Sequence, residues 1–180
     1  MHCPVIRTVR IEGDELQRAS MLWQQFTHII FTSQSAVFYW KEDLRGKTVI
    51  AIGEATGEAL RSKGVKPLIA PNATQEGVIA LLSQMDLQQS FLFWPRSQRS
   101  RPHLIEYLIC TKIPFFALDL YDTQLQRPEF VPNLEEIDEI VFTSPSTVEG
   151  FLKIYGSLPQ NKKLIAIGPI TQKSLVENFS

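Results

Sequence analysis

Cysteine is nearly absent from this sequence: among 180 residues only Cys3 and Cys110 carry a thiol. They lie far apart, with no CxxC and no neighbouring histidine pair, which excludes a disulfide framework or a zinc site of ordinary spacing and leaves two free thiols. His2, His28 and His103 show no ligand spacing either, so no metal is expected. No run of eighteen apolar residues occurs, so no membrane span is expected. The opening "MHCPVIRTVR" is too short in apolar run for a secretory leader. The net charge of −1 excludes attraction to nucleic acid by a bulk positive field. GxSxG, P-loop, GxGxxG and HExxH motifs are all missing, so any chemistry here rests on positioning and electrostatics. A reducing cytoplasm is the expected compartment.

What is present is an ordinary globular composition, 44% hydrophobic and 21% charged, with enough apolar residues for a core. Short apolar runs alternate with helical patterns. "HIIF" (28–31), "TVIAIG" (48–53), "PLIAP" (67–71), "FLFWP" (91–95) and "FFALDLY" (115–121) read as buried strands. Helices are expected over 54–63, closed by Gly64, over 75–85, and over 101–111, where Leu104, Ile105, Leu108 and Ile109 share a face. Five strands and four crossovers predict a complete doubly wound parallel α/β domain over residues 20–122. Residues 123–138 read as a linker with a short acidic helix start. The pattern then resumes with strands at 139–143 and 162–168, each followed by a helix, the first ending at Gly156. "PVIRTVRI" (4–11) reads as a separate extended segment.

Two motifs are written twice, in the same order. "FTSQSAVFYW" (31–40) pairs with "FTSPSTVEGF" (142–151), and "AIGEATGEAL" (51–60) pairs with "AIGPITQKSL" (166–175). Two pairs in register point to two related α/β domains. Both motifs sit where a strand hands over to a helix, the place where open parallel sheets bind ligands. Ser33 and Ser144 fall at helix N-caps, where capping alone accounts for them; the alternative adds an anion held by the helix start. Gly53 and Gly168 allow a sharp turn or a close backbone approach, and Thr56 and Thr171 fall in the first helical turn. "PRSQRSRP" (95–102) is the one basic cluster. Arg96, Arg99 and Arg101 follow a strand end and read either as a solvated loop or as forks for a polyanion.

Together, "FTSPSTVEGF" with "AIGPITQKSL", their sister pair, "LDLYDT" (118–123) and "WPRSQRSRPHLIEYL" (94–108) resemble the uroporphyrinogen-III synthase family over residues 4–180. The resemblance implies two α/β domains of flavodoxin-like topology joined by two extended linker segments. Domain 1 would be built from 1–19 and 123–180 and domain 2 from 20–122, each presenting its strand-end rim to a shared cleft. It implies hydroxymethylbilane, a linear tetrapyrrole with eight carboxylates, as substrate. The reaction closes the ring, inverts ring D and loses water, without cofactor or metal. Tyr121 aligns with the tyrosine credited with donating a proton to the leaving oxygen; its bland role is packing at a strand end. Ser33, Gly53, Thr56, Arg96, Arg99, Arg101, Ser144, Gly168 and Thr171 become candidate substrate contacts. A cytoplasmic monomer is implied, supplied transiently by hydroxymethylbilane synthase. "WPRS" stands where the family has a glycine. The chain starts past the family's first strand and helix and stops inside the last helix. Domain 1 is therefore expected to be shortened to three strands, one of them the N-terminal segment, with an open sheet edge. A two-lobed polycarboxylate- or phosphate-binding protein without turnover, and a regulatory domain that contacts a protein, are the competing readings.

Overall fold

The computed structural model of the chain describes residues 1–179. The chain folds as two compact units, Val9–Asp122 and Met1–Thr8 with Thr123–Ser180. Its strands are β1 (Ile6–Arg10), β2 (His28–Phe31), β3 (Thr48–Ala51), β4 (Leu68–Ile69), β5 (Leu92–Ser97), β6 (Phe115–Leu125), β7 (Glu139–Phe142) and β8 (Lys163–Ala166). Its α-helices are α1 (Asp14–Met21), α2 (Gln34–Tyr39), α3 (Glu54–Arg61), α4 (Gln75–Leu82), α5 (His103–Thr111), α6 (Pro145–Tyr155) and α7 (Pro169–Glu177).

The larger unit is built on a sheet of order β1-β6-β5-β2-β3-β4. The pairs among β2 to β6 are all parallel. Successive residues of each strand feed opposite faces. Ile29, Phe31, Val49, Ala51, Phe93 and Leu118 enter one core with Ala19 of α1, Ala36 and Val37 of α2 and Leu60 of α3. Ile30, Ile50, Leu92 and Trp94 enter the other with Val78 and Leu82 of α4 and Leu104 and Leu108 of α5. The result is a helix–sheet–helix sandwich, in which both faces of the parallel sheet are dry.

Counted from β2, the strand order is 5-4-1-2-3, not the 2-1-3-4-5 of flavodoxin, so the expectation of that chain order is corrected. It is the same cyclic arrangement entered at the third strand. The consequence is local. Connections run one way from β2 and the other way from β5, so the switch point falls between those two neighbours. Their carboxyl ends define where a ligand would sit.

Three further elements differ from expectation. The strand expected at 67–71 shrinks to Leu68–Ile69, because Pro67 and Pro71 carry no N–H to extend the ladder at this sheet edge. Helix α1 was not legible: its "DELQRASM" presents only Ala19 as a fully buried side chain. The N-terminal segment does not join the smaller unit's sheet. It pairs as β1 with β6, through Ile11 N–H to Leu120 O and Gln126 N–H to Val5 O, both 2.9 Å, a crossing pattern that makes the strands antiparallel. The smaller unit's sheet is therefore β7 and β8 alone, in parallel, one strand fewer than expected. One face, with Ile140, Phe142, Leu164 and Ala166, packs with Val148, Phe151 and Leu175 of α6 and α7. On the other face Val141 is 54% exposed.

Candidate functional site

Tyr121 and Ser33 meet at the switch point. Ser33 caps α2 from the end of β2 and accepts the Ala36 N–H at 3.1 Å. The Tyr121 hydroxyl donates to the same oxygen at 2.8 Å. What brings the phenol there is a bulge. Asp119 pairs with Arg96 and Tyr121 with Ser97, so Leu120 is the extra residue on β6. Without it, Tyr121 would point away from Leu118 and Leu120. With it, all three side chains enter one core, the core that holds α2. Tyr121 is 6% exposed, and the Tyr39 ring lies 5.9 Å from its own.

Burial pushes the Tyr121 phenol above its ordinary pKa, and the neighbouring Ser97 and Ser35 side chains pull the other way. The group is therefore a protonated hydroxyl ringed by three serines. Ser97 and Ser35 were not singled out from the sequence. No local signal marks them, because their pairing with residue 121 depends on strand order and on the bulge. Nearby, Trp94 Nε1 donates to Thr32 Oγ1 at 3.1 Å and ties the ends of β5 and β2 together.

The remaining candidates of this unit are occupied by the fold. Gly53 caps α3 in extended conformation, and a Cβ there would stand 2.7 Å from Ala73 Cβ, so the close approach is by the chain itself. Thr56 is 4% exposed inside the first turn of α3. Arg96 donates to Asp119 at 2.7 Å with its guanidinium over the Trp94 ring. Arg99 donates to Asp122 at 3.2 Å. Arg101 grips Glu76 with both arms, at 2.8 and 2.9 Å, and this holds the Glu76 carboxyl down at about 2. Every arginine of the basic cluster thus has a carboxylate partner.

In the smaller unit the sister motif has taken a different course. Ser144 caps α6 in a reciprocal box: its oxygen accepts the Thr147 N–H at 3.3 Å, and Thr147 Oγ1 accepts the Ser144 N–H at 3.2 Å. Ala36 stands at the position of Thr147 in the first copy, so Ser33 makes no such box; its oxygen accepts the Ala36 N–H and the phenol instead. Thr171 is 4% exposed. Gly168, the N-cap of α7, is the open member: a Cβ there would meet nothing within 4 Å. Among the described residues, no group of three His, Cys, Asp or Glu side chains is gathered that could hold a metal, and no helix is long and apolar enough to cross a membrane.

The family model described as uroporphyrinogen-III synthase HemD matches residues 1–178. A protein of Methanothermobacter thermautotrophicus assigned to that activity is 27% identical over 200 residues, covering 97% of this chain and 78% of its own length. Among solved structures, a mutant uroporphyrinogen III synthase from the extremely thermophilic bacterium Thermus thermophilus aligns with a TM-score of 0.65 at 19% identity. It covers 97% of this chain and 77% of that one. The uroporphyrinogen-III synthetase of Helicobacter pylori gives 0.62 at 21% identity, over 96% and 80%. At these identities the structures establish a shared fold.

Proposed function

The chain belongs to the uroporphyrinogen-III synthase family and has that family's activity, and we propose that Tyr121 and Ser33 are where its chemistry is done. The reaction closes hydroxymethylbilane to uroporphyrinogen III, with inversion of ring D and loss of water. The observation that carries the proposal is the buried phenol at the switch point, 2.8 Å from a serine that caps the adjoining helix.

Loss of water from a hydroxymethyl group needs a proton on the leaving oxygen. A phenol kept protonated by burial supplies one at neutral pH. The step changes no oxidation state, and hydroxyl groups suffice for the proton movements described. The eight carboxylates of the bilane ask for donors without a large net charge. In the smaller unit, taken by itself, Gly168 leaves the start of α7 open to a carboxylate. The three arginines serve as substrate contacts only where a bilane carboxylate replaces Asp119, Asp122 or Glu76. The remaining rate comes from holding a flexible tetrapyrrole so that the correct ends meet.

We assign the two compact units to the two α/β domains of the family, linked covalently through β1 and the end of β6. The free thiols Cys3 and Cys110 suit a cytoplasmic setting. Hydroxymethylbilane closes in water without inversion, which favours direct supply from hydroxymethylbilane synthase to a monomer of this chain.

The test is a coupled assay. Porphobilinogen and hydroxymethylbilane synthase generate the bilane in place, and oxidised products are separated as isomers I and III. Isomer III in excess over the protein-free control is the expected result. Isomer I alone, from a folded sample, would overturn the assignment and favour a binding protein without turnover.

A further inference from the structure

We infer that Ser33 is the residue that hands the proton to the substrate, with Tyr121 as the source behind it; the inference rests on the Tyr121 reading above. Three observations lead there. Tyr121 is 6% exposed and its proton is committed to Ser33 Oγ at 2.8 Å, so the phenol presents no open hydroxyl to a ligand. Ser33 Oγ receives two donors, the Tyr121 hydroxyl and the Ala36 N–H at 3.1 Å. A serine hydroxyl has two acceptor sites and one proton. With both sites filled, the Ser33 proton has to point away from Tyr121 and Ala36, and Ser33 is only half-buried on the rim. On the far side, Ser97 is the backbone partner of Tyr121 across the sheet, and its Oγ accepts the Arg99 N–H at 3.2 Å. The hydroxyls therefore form a one-way chain from Tyr121 through Ser33 to the rim.

The step balances. Ser33 gives its proton to the hydroxymethyl oxygen of the bilane. The carbon–oxygen bond breaks, its electron pair stays on oxygen, and water leaves. The carbon is left as a cation conjugated with its pyrrole nitrogen. In the same motion Tyr121 passes its proton to Ser33, which remains a hydroxyl throughout. The phenolate that remains lies beside the re-protonated Ser33 hydroxyl. When ring D regains aromaticity after the inverting closure, the proton it sheds returns through Ser33 to the phenolate.

The chain of hydroxyls separates this arrangement from direct donation by Tyr121, because two protons move instead of one. The experiment is a single-turnover measurement of isomer III in mixtures of light and heavy water. It uses the wild-type chain, Ser33→Gly, Ser33→Thr and Tyr121→Phe. Glycine is chosen because it caps a helix nearly as well as serine, so the fold is kept while the hydroxyl is lost. The wild type is expected to give a curved dependence of rate on deuterium fraction. Ser33→Gly should be slower by about 10²-fold with a straight dependence. Ser33→Thr should recover both rate and curvature. A Ser33→Gly rate within about threefold of wild type, or a curved dependence in that variant, overturns the relay. Tyr121→Phe keeps the two claims apart. An inactive Tyr121→Phe beside an active Ser33→Gly removes the relay alone, while an active Tyr121→Phe removes the phenol reading itself.

Discussion

Glu76→Gln is the substitution that best separates a structural from a ligand-binding role for Arg101. Glu76 lies in the first turn of α4 and takes both guanidinium arms of Arg101. Its carboxyl falls from an ordinary 4.5 to about 2, chiefly through that hydrogen bond. The difference corresponds to a ceiling of about 3.4 kcal/mol. The carboxylate side chain is 50% exposed and the guanidinium 34%, so solvent screening reduces the contribution to about 1 kcal/mol. The sign follows from a folded-state value that is depressed. The stabilisation is fully present above the unfolded value of 4.5 and is lost as pH falls toward 2. Urea unfolding of wild type and Glu76→Gln should therefore differ by about 1 kcal/mol at pH 7, and the gap should close between pH 4.5 and 2. High salt should narrow it at every pH. A gap that persists undiminished at low pH would refute the reasoning, because no ionised carboxylate would remain to explain it. The same variant reports on function. If Arg101 is a structural clamp, the KM for the bilane is unchanged; a fall in KM would show that Glu76 competes with a substrate carboxylate.

Gly77→Ala would drive a Cβ into the backbone carbonyl of Asn72 and should cost about 2 kcal/mol in thermal or urea unfolding; a neutral result would mean that the 71–74 turn yields easily. Thr147→Ala removes half of the capping box on α6 and should cost about 1 kcal/mol, seen as faster amide exchange in α6 with no change in α2. The raised Tyr121 value requires that any alkaline loss of isomer III formation owed to Tyr121 fall above the ordinary 10 of a phenol. A limb attributable to Tyr121 below pH 10, absent in Tyr121→Phe, would contradict its burial as a neutral group.

Residues with a local signature were readable from the sequence. Ser33 and Ser144 stand immediately before helices, as N-caps do, and Gly156 ends α6 with a φ of +84°. Residues that act through distant neighbours were not. "LDLYDT" alternates cleanly, and nothing in it announces that Leu120 will be skipped and Tyr121 turned onto the same face as Leu118. Arg96 meets Asp119 and Arg101 meets Glu76, partners 23 and 25 residues away, so a basic cluster that reads as a polyanion site is already neutralised. "IRTVR" alternates as any half-buried strand does, and the alternation does not say that its neighbour is β6 rather than β7. The repeat itself was legible, but not that Ser33 would meet a phenol from a strand 88 residues away.

The central claim is that the buried phenol drives the inverting closure. The most direct measurement is the ratio of isomer III to isomer I formed by Tyr121→Phe, with folding checked by thermal unfolding. Losing the phenol's hydrogen bond should cost about 1 kcal/mol of stability and leave a folded protein. The account predicts that isomer III falls by about 10²-fold or more, so that spontaneous isomer I dominates. A folded Tyr121→Phe protein that makes isomer III within about threefold of the wild-type rate, well inside the loss expected for a missing acid, would contradict it.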